Sequence, residues 1–109
     1  MTRTVCWFSS VFGGDPANLD RADRGAEAFQ RAHPELLVIC PWTLWARAGA
    51  HGHDTEAVED CCAFIRERCD ALATTARSRK YMSDGMVREY DAAEAAGLVV
   101  YLGAGEETE

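Results

Sequence analysis

Residues 18–41 read NLDRADRGAEAFQRAHPELLVICP. In the first part Leu19, Ala22, Ala26 and Phe29 fall at the spacing of one helix face, which predicts a helix over Asn18–Ala32. Asn18 can cap it. His33-Pro34 ends it, because the residue before a proline is driven out of helical conformation. The next stretch, Leu36 to Cys40, is apolar without a break and stops at Pro41. A strand with one wet face would alternate polar and apolar residues. This one does not, so it is a strand covered on both faces, the mark of a parallel sheet.

The same pattern continues in both directions. Upstream, Thr4–Phe8 (TVCWF) is a short β-branched and aromatic strand, followed by a Gly/Pro loop over residues 9–16. Downstream, Trp42 to Gly52 reads as a loop with two tryptophans and two glycines. Asp54 then caps a helix with Ala57, Cys61, Phe64, Ile65 and Cys69 on one face. Asp70–Thr75 is a weaker strand, and Ala76–Gly85 a basic, polar loop. A third helix spans about Asp84 to Ala96, with Met86, Tyr90 and Ala93 inward and Gly97 as its terminating residue. Leu98–Leu102 is the last strand.

The order is β-α-β-α-β-α-β. Right-handed crossovers turn it into a small doubly wound α/β fold, flavodoxin-like or Rossmann-like, with a four-stranded parallel sheet and helices on both faces. Ligands of such folds sit outside the carboxyl ends of the strands. That rule selects the loops 9–16, 41–53 and 75–85 and the region after Leu102.

The chain's 109 residues make one domain, here residues 1–105, with 106–109 expected as a solvated acidic tail. No apolar run reaches the roughly 18–20 residues of a membrane span, and Ser9-Ser10 interrupts the first apolar stretch, unlike a signal peptide. The net charge of −7 argues against a nucleic-acid polymer as partner. Residues 1–54 hold five arginines against six acids, and residues 55–109 hold six bases against twelve. Five cysteines, an odd number with no CxxC pair, fit free thiols in a reducing cytoplasm better than a disulfide framework.

Chemistry-bearing patterns are few. Gly13-Gly14 is neither a dinucleotide fingerprint nor a P-loop. His51-Gly52-His53-Asp54 with Cys61 and Cys62 matches no standard zinc spacing, so no metal or other cofactor is expected. The informative segment is Ser83-Asp84-Gly85-Met86-Val87-Arg88-Glu89. A Ser-x-Gly turn opens a helix after the third strand, and helix N-termini attract anions. Arg77, Arg79 and Lys80 precede it. Glu89, about one turn in, faces either the crevice or solvent.

Residues 83–102, SDGMVREYDAAEAAGLVVYL, resemble the nucleoside 2-deoxyribosyltransferase-like superfamily, which includes 2'-deoxynucleoside 5'-phosphate N-hydrolases. Cys69-Asp70-Ala71-Leu72 resembles that family's third-strand start, and the opening VCWFSSVFGGD its first strand and loop. The resemblance implies N-glycosidic bond chemistry on a nucleoside or nucleoside 5'-monophosphate. Glu89 would be the nucleophile that forms a glycosyl ester, and Asp60 its acidic partner. Ser83 and Gly85 would meet a phosphate, together with Ser10 and Gly13 of the first loop. Trp42 would stack on the base; the bare alternative for Trp42 and Trp45 is an oligomer interface. Cys6 holds the first-strand position where the family has an orienting Tyr, and Phe12 stands where its hydrolases have an Arg. The other reading these departures leave open is a nucleotide-binding module without turnover. Family sites are often completed across a homodimer or higher homo-oligomer, which is the expected assembly here.

Overall fold

A computed structural model of the chain describes residues 3–49 and 55–105. The expected tail (106–109) and the His51–Asp54 segment with its helix cap lie outside these residues. The elements are β1 (Thr4–Ser9), α1 (Pro16–Ala32), β2 (Leu36–Ile39), α2 (Trp42–Arg47), α3 (Thr55–Arg68), β3 (Ala71–Thr74), α4 (Asp84–Ala95) and β4 (Val99–Tyr101), with a single 3-10 turn at Arg79–Tyr81.

The four strands form one parallel sheet in the order β2-β1-β3-β4. β1 is central, and the order reverses at its junction with β3. The doubly wound α/β arrangement expected from the sequence is therefore present. Side chains alternate across the pleat. Cys6 and Phe8 of β1 face α1, where they pack with Phe29, Leu36, Ala71 and Ala73. Trp7 faces the other way, into a cluster with Cys61, Ile65, Cys69, Leu72 and Ala93 from α3, β3 and α4. Burying both faces of β1 explains why its sequence shows no polar alternation. Trp7, Phe8, Ile65 and Leu72 are among the largest side chains with essentially no exposure.

Three local differences from the sequence expectation have physical causes. α1 starts at Pro16, with Asp15 as its cap: the Asp15 carboxylate accepts from the Ala17 amide at 3.0 Å, and proline's fixed φ suits the first helical position. Asn18 instead donates to the Phe12 carbonyl at 2.8 Å and holds the first loop. Residues 42–47 are helical rather than loop. A six-residue helix is marginal alone, and tertiary ties support this one. The Arg47 guanidinium pairs with Asp20 at 2.9 Å and Asp23 at 2.7 Å, and the Thr43 hydroxyl lies 2.9 Å from Asp23 Oδ1. On α4 the inward residues are Met86, Glu89, Ala92 and Ala93, whereas Tyr90 stays half-buried.

After β4 the chain turns back over the end of β3. The Gly103 amide donates to the Ala76 carbonyl (2.9 Å), and the Ala104 amide to that of Thr74 (2.8 Å). Gly105, at φ +72°, then runs against Gly25 of α1, where an added Cβ would sit 2.5 Å from the Gly25 carbonyl oxygen. Among the described residues no helix is long and apolar enough to cross a membrane.

Candidate functional site

Ser83 caps α4 by accepting from the Met86 amide at 3.4 Å. This cap fixes the helix so that Glu89 turns inward onto the carboxyl end of β1. Glu89 is buried, with 8% of its surface exposed. Ser9 closes β1 on the face that also carries Trp7, and its Oγ donates to Glu89 Oε1 at 2.8 Å. Trp7 Nε1 is fully buried and, among the described residues, is the one such side-chain polar atom without a hydrogen-bond partner. It lies beside the same carboxyl group and favours its ionised form. Burial dominates all the same: it pushes Glu89 up to about 7, while the Ser9 hydroxyl and the Trp7 indole N–H pull it back down. A buried carboxyl poised there, in a cleft, is a mark of a functional site.

Glu89 forms part of the wall of a cleft of about 260 Å³, just below the ~300–1,000 Å³ of most small-molecule sites. The cleft opens at the carboxyl ends of the strands, where doubly wound folds take ligands. One wall is the first loop, with Ser10, Phe12 and Gly13. Trp42 and Trp45 of α2 line the cleft as well. The Trp42 indole N–H donates to the Phe8 carbonyl at 2.9 Å, which ties the ring to the end of β1. Cys61 of α3 and Met86 of α4 complete the apolar part, and Ser83, Asp84 and Gly85 bring the amino end of α4 to the rim.

Six of the residues expected from the sequence thus meet in one cleft: Glu89, Ser10, Gly13, Ser83, Gly85 and Trp42. Two do not. Asp60 is exposed on α3, outside the cleft lining. The second carboxylate on the cleft wall is Asp84. Cys6 has no exposure and packs in the core on the α1 face. Burial raises its thiol to about 12. The pleat is the reason: the β1 residues turned toward Glu89 are Trp7 and Ser9, one position either side of the residues that face α1. Strict alternation groups Trp7 with Ser9 on one face, but it does not say which face meets α4.

The basic segment before α4 is also disposed differently from expectation. Arg79 pairs with Asp91 at 3.0 Å, and the Lys80 ammonium sits 5.0 Å from the Tyr81 ring centre. Neither lines the cleft. Arg77 lines an adjoining groove with Val11, Thr75, Tyr81 and Met86. Among the described residues no group of three or more His, Cys, Asp or Glu is placed to hold a metal ion. The cleft's Cys61 thiol is pushed up to about 12, by burial first and by the nearby Glu89 charge second, which disfavours the nucleophilic thiolate.

No family model matches the chain, and neither does any curated protein or solved structure.

Proposed function

We propose that the protein breaks the N-glycosidic bond of a nucleoside or nucleoside 5'-monophosphate, with Glu89 meeting the anomeric carbon. The observation that carries this reading is the Glu89 carboxyl itself. It is buried, held at Oε1 by Ser9, and part of the wall of a cleft lined by aromatic rings and by a helix N-terminus. The likeness of residues 83–102 to the nucleoside 2-deoxyribosyltransferase-like superfamily supports the same chemistry.

The steps balance as follows. The C–N bond breaks with its electron pair passing to the base, which takes up a proton that comes from solvent. The positive charge that develops at the anomeric carbon is met by ionised Glu89, which closes on it as an ester. Water, or a second base in a transfer reaction, then displaces Glu89 as a carboxylate and gives up its own proton to solvent. Asp84, the second carboxyl group on the cleft wall, is our candidate to pass a solvent proton to the leaving base. Trp42 stacks on that base; such stacking is worth about 1–3 kcal/mol per base in nucleic-acid sites. Ser83 and Gly85, at the amino end of α4, meet a 5'-phosphate.

The test is incubation with a panel of ribo- and deoxyribonucleosides and their 5'-monophosphates, with free base followed by chromatography. Base release by the wild-type chain and none by Glu89→Gln is the expected result. Release that continues unchanged in the variant overturns the assignment.

One observation favours a second reading, a nucleotide-binding module without turnover. The first loop presents Phe12, not a cation, to the cleft, and Asp60 stands away from it. Calorimetry that shows nucleotide binding with no base released selects this module. Under either reading we propose a homodimer or higher homo-oligomer, which light scattering on the eluting protein checks, and a cytoplasmic location, which the free cysteines among the described residues support.

A further inference from the structure

A second groove, of about 310 Å³, lies on the α1 side of the same strand ends. It is lined by Arg21, Arg24 and Asn18 of α1 and by Ser10 and Thr75 at the strand ends. Gly25 and Gly105 form its floor where α1 and the returning chain touch.

We propose that this groove binds a phosphate-type anion. Its charge is the first argument. In a chain of net charge −7, α1 carries enough acids to neutralise Arg21 and Arg24, yet these acids are paired with other arginines. Asp20 and Asp23 pair with Arg47 of α2, and Glu27 pairs with Arg31. Arg24 has no ion-pair or hydrogen-bond partner among the described residues. Arg21 makes one neutral contact, from Nη1 to Asn18 Oδ1 at 3.3 Å. Two guanidinium groups one helical turn apart and facing one groove can grip phosphate oxygens in the forked geometry that arginine favours.

The donor count is the second argument. Ser10 Oγ and Thr75 Oγ1 are 3.2 Å apart and share one hydrogen bond. That bond uses one of their two protons and leaves the other to be donated to a ligand oxygen. The Asn18 side chain, held by its bond to the Phe12 carbonyl, presents its oxygen to Arg21 and so fixes that arginine without neutralising it. The groove's side chains thus present donors and positive charge but no carboxylate.

Ser10 lines both this groove and the Glu89 cleft, so the two cavities adjoin. The anion is therefore either a separate phosphate-type ion or, in place of the contact with Ser83 and Gly85, the phosphate end of a ligand whose body fills the cleft. The groove does not depend on the glycosidic reading, and its test needs no turnover.

The test is titration of the full chain with inorganic pyrophosphate by calorimetry at low and at raised salt. Saturable binding that weakens with salt is expected, as for any charge-driven contact. Arg24→Gln weakens it several-fold, and the Arg21→Gln/Arg24→Gln double variant at least tenfold. Both side chains are exposed, so the variants are expected to keep the fold, which circular dichroism verifies. Glu89→Gln binds pyrophosphate like the wild type, which separates failure of this site from failure of the catalytic assignment. Adding a deoxynucleoside 5'-monophosphate displaces pyrophosphate if the groove takes the ligand's own phosphate, and leaves it bound if the anion is separate. Absence of saturable binding, or equal affinity in the double variant, overturns the proposal.

Discussion

Ser9 and Glu89 are 80 residues apart in the chain, and their side chains meet at 2.8 Å. The contact joins the end of the central strand to the inner face of α4. It also sets the chemistry of the cleft, because Ser9 Oγ donates to a carboxyl group that burial would otherwise hold strongly neutral.

Ser9→Ala removes that donor. Glu89 then titrates above its present value of about 7. If ionised Glu89 is the attacking group, base release rises with pH around a midpoint near 7 in the wild type, and the midpoint moves upward in Ser9→Ala. The lost bond to a buried acceptor costs about 1–3 kcal/mol of stability above the midpoint, and less below it, where protonated Glu89 makes smaller demands. A pH–rate profile and urea melts at two pH values measure both effects.

Glu89→Gln changes the dependence of stability on pH, with a definite sign. The carboxyl group is raised from 4.5 to about 7 in the folded chain. Between those values the folded state holds a proton that the unfolded state has released, so stability falls as pH rises through this window. The glutamine variant has no such term. Its stability relative to wild type therefore grows from pH 4.5 to pH 7 and levels off above, by a few kcal/mol. Denaturation midpoints of the two chains at pH 5 and pH 8 test this. A constant difference would mean that Glu89 is not held neutral by burial.

The fold was legible because strands covered on both faces and amphipathic helices leave different apolar patterns; Leu36–Ile39 and the Leu19–Phe29 face stand out at once. Half of the Glu89 environment was not legible. Whether Glu89 points inward depends on the rotation of α4 against the sheet, which Ala92 and Ala93 set by packing. The sequence spacing alone turned Tyr90 inward and left Glu89 facing either the crevice or solvent. The role of Trp7 depends on which face of β1 meets α4, and no local propensity encodes that. α2 was missed for a related reason: Asp20, Asp23 and Arg47 hold it in place across the fold.

Asp60→Asn separates the sequence expectation from the structure. The side chain is exposed on α3 and lies outside the cleft lining. Base release and stability are both expected to stay at wild-type levels, since surface substitutions away from special features change stability by within about 0.5 kcal/mol. Asp84→Asn, on the cleft wall, lowers the rate of base release if it serves the leaving base. A loss of activity in Asp60→Asn with none in Asp84→Asn would reverse the roles assigned to the two acids.

Trp42→Phe tests whether the tethered indole holds the base. Its Nε1 donates to the Phe8 carbonyl at 2.9 Å, so the substitution removes one hydrogen bond as well as ring area. The bond contributes about 1 kcal/mol to stability, with a further cost if the carbonyl is left dry. Phenylalanine keeps an aromatic face but loses the anchor that fixes it, so nucleoside binding weakens while pyrophosphate binding at Arg21 and Arg24 does not change. Trp45→Phe serves as the control, because 40% of its surface is exposed and no bond ties its ring to β1. Titration of both variants with a nucleoside, followed by the remaining tryptophan fluorescence, distinguishes them. Equal loss in the two would shift the weight from the Trp42 tether to the apolar area of the whole α2 wall.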